Sequence, residues 1–178
     1  LQSGSQRILS RMNRQYTAGR FRQIVDRLRD AFDRPALTTD IIVGFPGETD
    51  ADFDETLAMA RHAGFAKIHA FPFSAVAGTA AWRYRHEAPP PGVVKSRMAE
   101  LAELEAEMAA AYRRQFVGQE MQALVERAKN GQSHLEAMTD RYMTVRFRPA
   151  VGADLTGKVV RIRIDDLSAK GLRGTLLS

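Results

Sequence analysis

The stretch TTDIIVGFPGET, residues 38–49, decides how the chain is interpreted. Its surroundings, ALTTDIIVG at residues 36–44, are β-branched and apolar, which predicts a central parallel strand covered on both faces. Gly44 and Gly47 then allow a sharp turn and remove side chains that would keep a ligand away. Since ligands bind at the carboxyl edge of parallel strands, this turn is a candidate ligand site. The alternative is an ordinary strand-to-helix turn, with Glu48 favoured by the helix dipole.

Helical patterns flank this strand on both sides. Residues 21–32 place Phe21, Ile24, Val25, Leu28 and Phe32 at helical spacing, after a capping Thr17 and before Pro35. A second helix is capped by Thr49 or Asp50 and stopped by Gly64, and the strand AKIHAFPFS follows at residues 66–74. The order helix, strand, helix, strand predicts the βα repeat of a parallel sheet or barrel.

The second half of the chain changes character. Residues 75–92 are expected to be an irregular lid or connection, and residues 93–116 one long helix. From Gln119 the chain alternates as five short strands, MQALVER, SHLEAMT, YMTVRFR, GKVVRIRID and LRGTLLS, separated by NGQ, PAVGAD and SAKG turns. This pattern predicts a small closed barrel of a kind that often binds oligonucleotides. The domain boundary is therefore placed near Val117, between domains 1–116 and 117–178.

Composition limits the chemistry. The chain has no cysteine, which excludes disulfides, thiolate zinc sites, cysteine nucleophiles and cysteine-ligated clusters within these residues. Its net charge of +5 favours a polyanionic partner. No apolar run is long enough for a membrane span and the N-terminus lacks a signal-peptide pattern, so no membrane association and a cytoplasmic location are expected. Because the chain starts at Leu1, an upstream region is expected to be missing.

Two further motifs suggest ligand contacts. QSGSQRILSRMNRQY, residues 2–16, joins a small polar turn to Arg7, Arg11 and Arg14, which suits a hydroxyl or a carboxylate. A helix cap followed by a solvated basic face is the alternative. HAFPFSAVAGTAA, residues 69–81, carries aromatic and small residues that suit a flat ring. The alternative is that these aromatics are buried core residues, which is the more common role of aromatics beside a proline turn.

The order and spacing of QSGS, MNRQYT, TTDIIVGFPGET, AGFAKIHAFPFS and GT resemble the later strands of the radical S-adenosylmethionine (radical SAM) barrel in methylthiotransferases. The last sixty or so residues resemble TRAM, the small RNA-binding β-barrel that closes these enzymes. The resemblance covers nearly the whole chain. It implies a partial (β/α) barrel, part of a TIM-like barrel, followed by an OB-like all-β barrel.

The resemblance implies an enzyme that adds a methylthio group to an adenosine next to the tRNA anticodon. AGFAKIHAFPFS is most similar to the branch acting on N6-threonylcarbamoyladenosine, so tRNA, through its anticodon stem-loop, is the expected partner. The isopentenyladenosine branch and the branch acting on a ribosomal-protein aspartate stay open. Other possibilities are a non-catalytic RNA-binding module, an assembly fragment using helix 93–116, and a barrel enzyme of another chemistry.

The resemblance also implies S-adenosylmethionine and two [4Fe-4S] clusters in the intact enzyme. The cluster cysteines would lie upstream of Leu1, so this chain alone is predicted to be inactive and to hold no metal. The radical step would remove a hydrogen from the target carbon, and no residue of this chain is predicted to be catalytic. Ala75, Val76 and Ala77 depart from the family's proline-arginine turn, which puts one basic contact in doubt. The implied cofactor-binding residues are Gln2, Ser3, Ser5, Arg14, Asp40, Gly44, Phe45, Glu48, Phe71 and Phe73.

Basic residues in the predicted β-barrel outnumber nearby acids and alternate along strands, which favours RNA contact. A solvated basic face is the alternative for any one of them. Tyr142 and Phe147 are expected to be available for stacking on bases. The predicted RNA-binding residues are Arg146, Arg148, Lys158, Arg161, Arg163, Lys170 and Arg173.

Overall fold

The computed structural model describes residues 1–126, 134–149, 153–168 and 171–177. The chain divides into two compact units, Leu1–Ala109 and Ala110–Ser178. The boundary near Val117 stays a prediction. Within the described ranges, no helix combines the length and apolar character that a membrane span requires.

The first unit contains the predicted alternation of helices and parallel strands. Strands β1 and β2 pair in parallel, with Thr38 opposite Lys67 and Val43 opposite Pro72. Gln2 forms a parallel bridge to Ile41, so that β1 has backbone partners on both sides. The elements are α1 (Gln6–Arg11), α2 (Ala18–Ala31), β1 (Thr38–Val43), α3 (Asp50–Ala63), β2 (Lys67–Pro72), α4 (Ala80–Arg83), a 3-10 turn (Arg85–Glu87) and α5 (Pro91–Arg114).

Local capping explains where the helices begin and end. The Thr17 side chain accepts a hydrogen bond from the Arg20 amide at the start of α2. Thr49 and Asp52 form a capping box at the start of α3, and Gly64 ends that helix in the left-handed conformation, at φ 53°. The predicted caps of both helices are confirmed.

The sheet of the first unit is buried on one face only. Thr39, Ile41 and Val43 are buried, whereas Thr38 and Asp40 are exposed. The prediction that β1 is covered on both faces is therefore wrong. Its physical reason is that the helices pack on a single side, where Ile41, Val43 and Ile68 share a core with side chains of α2, α3 and α5.

The connection between β2 and α5 is more regular than expected. The Thr79 side chain accepts a hydrogen bond from the Trp82 amide and starts α4, which the 3-10 turn follows. The prediction of a wholly irregular segment at residues 75–92 is wrong at positions 80–83 and 85–87, which are helical, and at Pro91 and Gly92, where α5 begins.

The second unit is a closed five-stranded barrel, as predicted. Its order is β3-β4-β5-β7-β6, with β5 and β7 parallel and the other pairs antiparallel. Alternate residues of β6, such as Ile162 and Ile164, point inward, while Arg161 and Arg163 are exposed. The strands are β3 (Glu120–Val125), β4 (Leu135–Thr139), β5 (Thr144–Phe147), β6 (Val159–Ser168) and β7 (Gly171–Leu176). The NGQ turn and the middles of the PAVGAD and SAKG turns lie outside the described residues.

Candidate functional site

The carboxyl edge of β1 and β2 carries an aromatic cluster. The Phe73 amide donates to the Val43 carbonyl oxygen at 2.8 Å, which continues the pairing one residue past the end of β2. The rings of Phe45 and Phe73 meet edge to face, with centroids 5.3 Å apart. Phe45 is buried, whereas Phe71 is 52% exposed. This edge therefore presents apolar ring surface beside a backbone turn.

A buried ion pair between Glu48 and Arg97 stabilises the GFPGE turn, residues 44–48. The Gly44 amide donates to Glu48 Oε2 at 2.8 Å, and Arg97 Nη1 of α5 lies 2.8 Å from the same oxygen. Arg97 Nη2 also contacts Asp50 Oδ1 at 2.7 Å. Burial raises the pKa of Glu48, against the opposing effects of the Gly44 amide and Arg97. Glu48 thus fixes the turn through contacts inside the protein.

Sequence reasoning missed Arg97. It lies among the apolar positions of the long helix, between Val94 and Leu101, and a charged residue within such a stripe indicates a buried partner. A Cβ atom on Gly44, whose φ is 78°, would lie 2.6 Å from a methyl group of Val94. The glycine therefore serves both the left-handed turn and the close approach of α5.

The QSGS segment packs against α3. The Gly4 amide donates to Thr56 Oγ1 at 2.9 Å, and the Ser3 hydroxyl lies 3.3 Å from the same atom. The Ser5 hydroxyl donates to Asp52 Oδ1 at 2.7 Å. Ser3 and Ser5 are both buried. Their hydroxyls are thus engaged within the protein, and their assignment as cofactor ligands stays a prediction.

Asp52 forms hydrogen bonds with both the N-terminal motif at residues 2–16 and the motif at residues 38–49. Besides Ser5, it accepts hydrogen bonds from Arg7 and from the Thr49 amide, the latter at 2.8 Å. Arg7 Nη2 also donates to the Gly47 carbonyl oxygen at 2.5 Å. Burial favours the neutral acid, but the bonds from Arg7, Thr49 and Ser5 outweigh it and hold the pKa of Asp52 well below its usual range.

Exposed polar groups border β1. Arg14 Nη2 donates to Gln2 Oε1 at 2.9 Å, and the Gln2 amide donates to the Asp40 carbonyl oxygen at 3.0 Å. Asp40 is opposite His69 in the parallel register, on the sheet face without helices. The structure thus brings Gln2, Arg14 and Asp40 together along β1, with Phe71 opposite Ile42 near the end of the strand and Phe45 and Phe73 just past it.

Most predicted RNA-binding arginines of the second unit face acids. Arg146 lies 2.6 Å from Glu136, Arg163 lies 3.1 Å from Asp165, and Arg148 Nε lies 3.2 Å from His134 Nε2. Arg161 pairs with Glu120, and Arg173 pairs with Asp166. Lys158 is exposed, and Lys170 lies outside the described residues.

Two of these arginines lie side by side. Glu136, Arg146, Arg173 and Asp166 are successive cross-strand neighbours on β4, β5, β7 and β6. We call these four residues the charged row. It borders a groove of about 1050 Å³, whose lining contains three arginines and three acids.

The two predicted stacking residues differ. Tyr142 is 85% exposed at a turn, in a left-handed conformation with φ 56°. Phe147 is 1% exposed, because it alternates inward along β5 into the barrel core. The prediction that Phe147 is available for stacking is therefore wrong.

The net positive charge is confined to the second unit. Residues 110–178 hold twelve Lys or Arg and seven Asp or Glu, a difference of +5, whereas residues 1–109 hold fourteen of each. Long-range attraction of a polyanion therefore acts on the β-barrel unit.

Known proteins resemble this chain over nearly its whole length. The radical SAM superfamily profile matches residues 1–60. The threonylcarbamoyladenosine tRNA methylthiotransferase MtaB of Chlamydia pneumoniae is 38% identical over 177 residues, covering 99% of this chain and 41% of that protein.

Two tRNA-2-methylthio-N(6)-dimethylallyladenosine synthases are also similar. The one from Chloroflexus aurantiacus is 36% identical over 98% of this chain and 37% of its own length. The one from Oceanobacillus iheyensis is 34% identical, over 99% and 34% respectively. The chain thus spans about two fifths or less of the length of these relatives.

Proposed function

Because the chain belongs to the radical SAM methylthiotransferase family, we propose that it forms part of an enzyme that adds a methylthio group to a tRNA adenosine. The observation that carries this proposal is the extent of the matches, which run through both compact units of the chain. In this proposal, residues 1–116 form the later part of the radical SAM barrel and residues 117–178 form its TRAM domain.

The carboxyl edge of the sheet fits the adenosyl part of S-adenosylmethionine by its chemistry. Phe71 offers exposed apolar ring surface suited to a purine, and the half-buried Phe73 ring lies beside it, packed edge to face on the buried Phe45. Arg14 and Asp40, both exposed, offer a guanidinium for a carboxylate and a carboxylate for hydroxyl or amino groups. When bound in this family, S-adenosylmethionine supplies the radical that activates the target carbon.

The remaining predicted cofactor residues are proposed to stabilise the backbone around this pocket or to orient the residues that line it. Glu48 holds the Gly44 amide, and Ser3 and Ser5 anchor the first residues of the chain to α3. Their proposed role is to position the turn, and Gln2 orients Arg14 through its side-chain oxygen.

The chain does not fit an iron–sulfur cluster, because it contains no cysteine thiolate to ligate one. Any cluster ligands of the intact enzyme are therefore proposed to lie outside these residues. The 178-residue chain by itself is accordingly proposed to lack methylthiotransferase activity.

The barrel unit is proposed to contact the tRNA. Its net charge of +5, the side-by-side Arg146 and Arg173, and the exposed Tyr142 are features of single-stranded RNA binding. OB-like barrels bind oligonucleotides on the face of their second and third strands, which are β4 and β5 here.

For the substrate, we propose N6-threonylcarbamoyladenosine at the position next to the anticodon. The support is the similarity to the Chlamydia relative, at 38% identity, together with the AKIHAFPFS segment. Dimethylallyladenosine is the second candidate, since the relatives named for it are 34–36% identical over the same residues.

The test is mass spectrometry of tRNA nucleosides from a strain in which the gene encoding this chain is deleted. We expect the 2-methylthio derivative of N6-threonylcarbamoyladenosine to disappear and to return when the intact gene is restored. Loss of the dimethylallyl derivative instead would select the second candidate. Unchanged levels of both methylthio nucleosides would refute the proposed function.

A further inference from the structure

The segment AAWRYRHE, residues 80–87, combines aromatic and basic side chains, and none of its residues belongs to the proposed cofactor pocket. We call it the aromatic-basic segment. Tyr84 is 47% exposed, and Arg83, Arg85 and His86 are exposed beside it. The Arg85 guanidinium lies over the Trp82 ring, with its carbon 4.3 Å from the ring centroid, and Arg85 Nη1 donates to the Trp82 carbonyl oxygen at 2.9 Å.

Three contacts hold this segment, one to the turn at the carboxyl edge of the sheet and two to Arg11 of α1. The Gly47 amide donates to the Glu87 carbonyl oxygen at 2.8 Å, so the segment is bonded directly to the GFPGE turn. Arg11 Nη2 contacts Glu87 Oε2 at 2.6 Å. The same guanidinium lies over the Tyr84 ring at 5.4 Å from its centroid. The position of Tyr84 is therefore fixed relative to the proposed pocket.

The charges around Tyr84 suit a phosphate chain. Arg11 is balanced by Glu87, but no acidic partner of the Arg83 or Arg85 side chains occurs among the described residues, and both side chains reach solvent. Aromatic rings and guanidinium planes are the groups on which unpaired RNA bases stack, with neighbouring cations on the phosphates. A double helix offers no free base face to such a ring.

We propose that the aromatic-basic segment binds an unpaired nucleotide of the RNA substrate, with the Tyr84 ring stacking on a base and Arg83 contacting a phosphate. This inference rests on the proposed function for the choice of RNA as the ligand. It assigns the first unit an RNA contact of its own, next to the carboxyl edge of the sheet and separate from the basic β-barrel.

The experiment measures binding of the 178-residue chain to a fluorescently labelled RNA hairpin with a single-stranded loop, and to a blunt RNA duplex of the same stem. We expect Tyr84→Ala to weaken hairpin binding about ten-fold, equivalent to about 1.4 kcal/mol, and to leave duplex binding unchanged. Tyr84→Phe keeps the ring and should bind the hairpin like the unsubstituted chain. Arg83→Gln should lower the slope of log affinity against log salt by about one.

Matched controls come from the same unit. Phe32 is 60% exposed at the C-terminus of α2, which precedes the amino end of β1, so Phe32→Ala removes an exposed ring at a distant edge. Arg27→Gln removes an exposed charge from α2. Neither control should change hairpin affinity or its salt slope.

Hairpin binding by Tyr84→Ala equal to that of the unsubstituted chain would overturn the inference, as would equal losses for hairpin and duplex. So would the absence of hairpin binding by the unsubstituted chain. These outcomes are distinct from failure of the proposed function, which is scored by the methylthio nucleosides of the deletion strain and needs no Tyr84 variant.

Discussion

Gly4 shows how closely the first residues of the chain approach α3. A Cβ atom at this position would overlap the backbone at Glu55 and Thr56, which cannot move without displacing the helix. We expect Gly4→Ala to lower the free energy of unfolding by about 1–3 kcal/mol, measured by urea denaturation. Gly19, in α2, has nothing within 4 Å of the corresponding position. Gly19→Ala should therefore stabilise the chain by about 0.5–1 kcal/mol. Equal effects of the two substitutions would contradict this interpretation.

Asp52 makes the stability of the first unit depend on pH. An aspartate in an unfolded chain titrates near pH 4, and folding lowers the pKa of Asp52 below that value. Its stabilisation is therefore complete above about pH 4 and is lost as the pH falls further, because the unfolded chain then binds the proton more readily.

We expect Asp52→Asn to lower the free energy of unfolding at pH 7 by about 2 kcal/mol, since the charged acceptor of several hydrogen bonds is lost. The difference from the unsubstituted chain should shrink below about pH 4 in denaturation experiments. Asp54→Asn, on an exposed position of the same helix, should change stability by less than about 0.5 kcal/mol. A pH-independent cost at Asp52 would be inconsistent with the proposed ionisation.

At the scale of secondary-structure elements, Arg97 links α5 to the turn after β1. Removing it leaves the Glu48 carboxylate buried, with the Gly44 amide as its one remaining partner among the described residues. We expect Arg97→Met to cost about 3–5 kcal/mol of unfolding free energy. Glu48→Gln combined with Arg97→Met should cost less than the two single changes added together, because no uncompensated charge remains.

Lys95 provides the control for this prediction. It is exposed on the same helix, so Lys95→Met removes a cation without uncovering a buried acid. Its effect on denaturation should be within about 0.5 kcal/mol. Strict additivity of the Glu48 and Arg97 substitutions would show that the two side chains are not coupled.

On the strands of the β-barrel, the arginines of the charged row pair with acids, so the proposed RNA phosphates would compete with those acids for the same guanidinium groups. Arg146 and Glu136 are partly exposed, so breaking their ion pair should change stability by less than about 1 kcal/mol. We expect Arg146→Gln to weaken RNA binding several-fold and to lower its salt slope by about one. Glu136→Gln should strengthen binding, since Arg146 no longer faces an acid. Weaker RNA binding by Glu136→Gln would argue that the ion pair itself builds the surface.

At the scale of the whole molecule, the chain supplies the proposed pocket edge and the proposed RNA-binding barrel but no thiolate. We expect the 178-residue chain, incubated anaerobically with iron and sulfide and then desalted, to retain no iron and no cluster absorbance. The intact gene product, treated in parallel, should acquire both. Stoichiometric iron on the isolated chain would show that other side chains ligate a cluster.

Local signals in the sequence were sufficient for most of the elements. Thr17, Thr49 and Gly64 act within one helical turn of their own positions, so the ends of α2 and α3 follow from neighbouring residues. Alternation along residues 159–164 likewise gave the two faces of β6. The one-sided burial of β1 did not follow, because an apolar run is compatible with helices on one face or on both.

The order of motifs in this sequence carried its resemblance to the radical SAM methylthiotransferases, its patterning indicated most strands and helices, and its composition excluded cysteine ligands for a cluster. The roles of individual site residues required the fold. Ser5 meets Asp52 across 47 positions, and Glu48 meets Arg97 across 49. The sequence shows that a position carries a hydroxyl or a carboxylate. It does not show whether that group contacts a ligand or a buried group of the protein. Only the packing of α3 and α5 against the first residues and the GFPGE turn places Ser3, Ser5 and Glu48 inside the protein, and leaves Arg14, Asp40 and Phe71 at its surface.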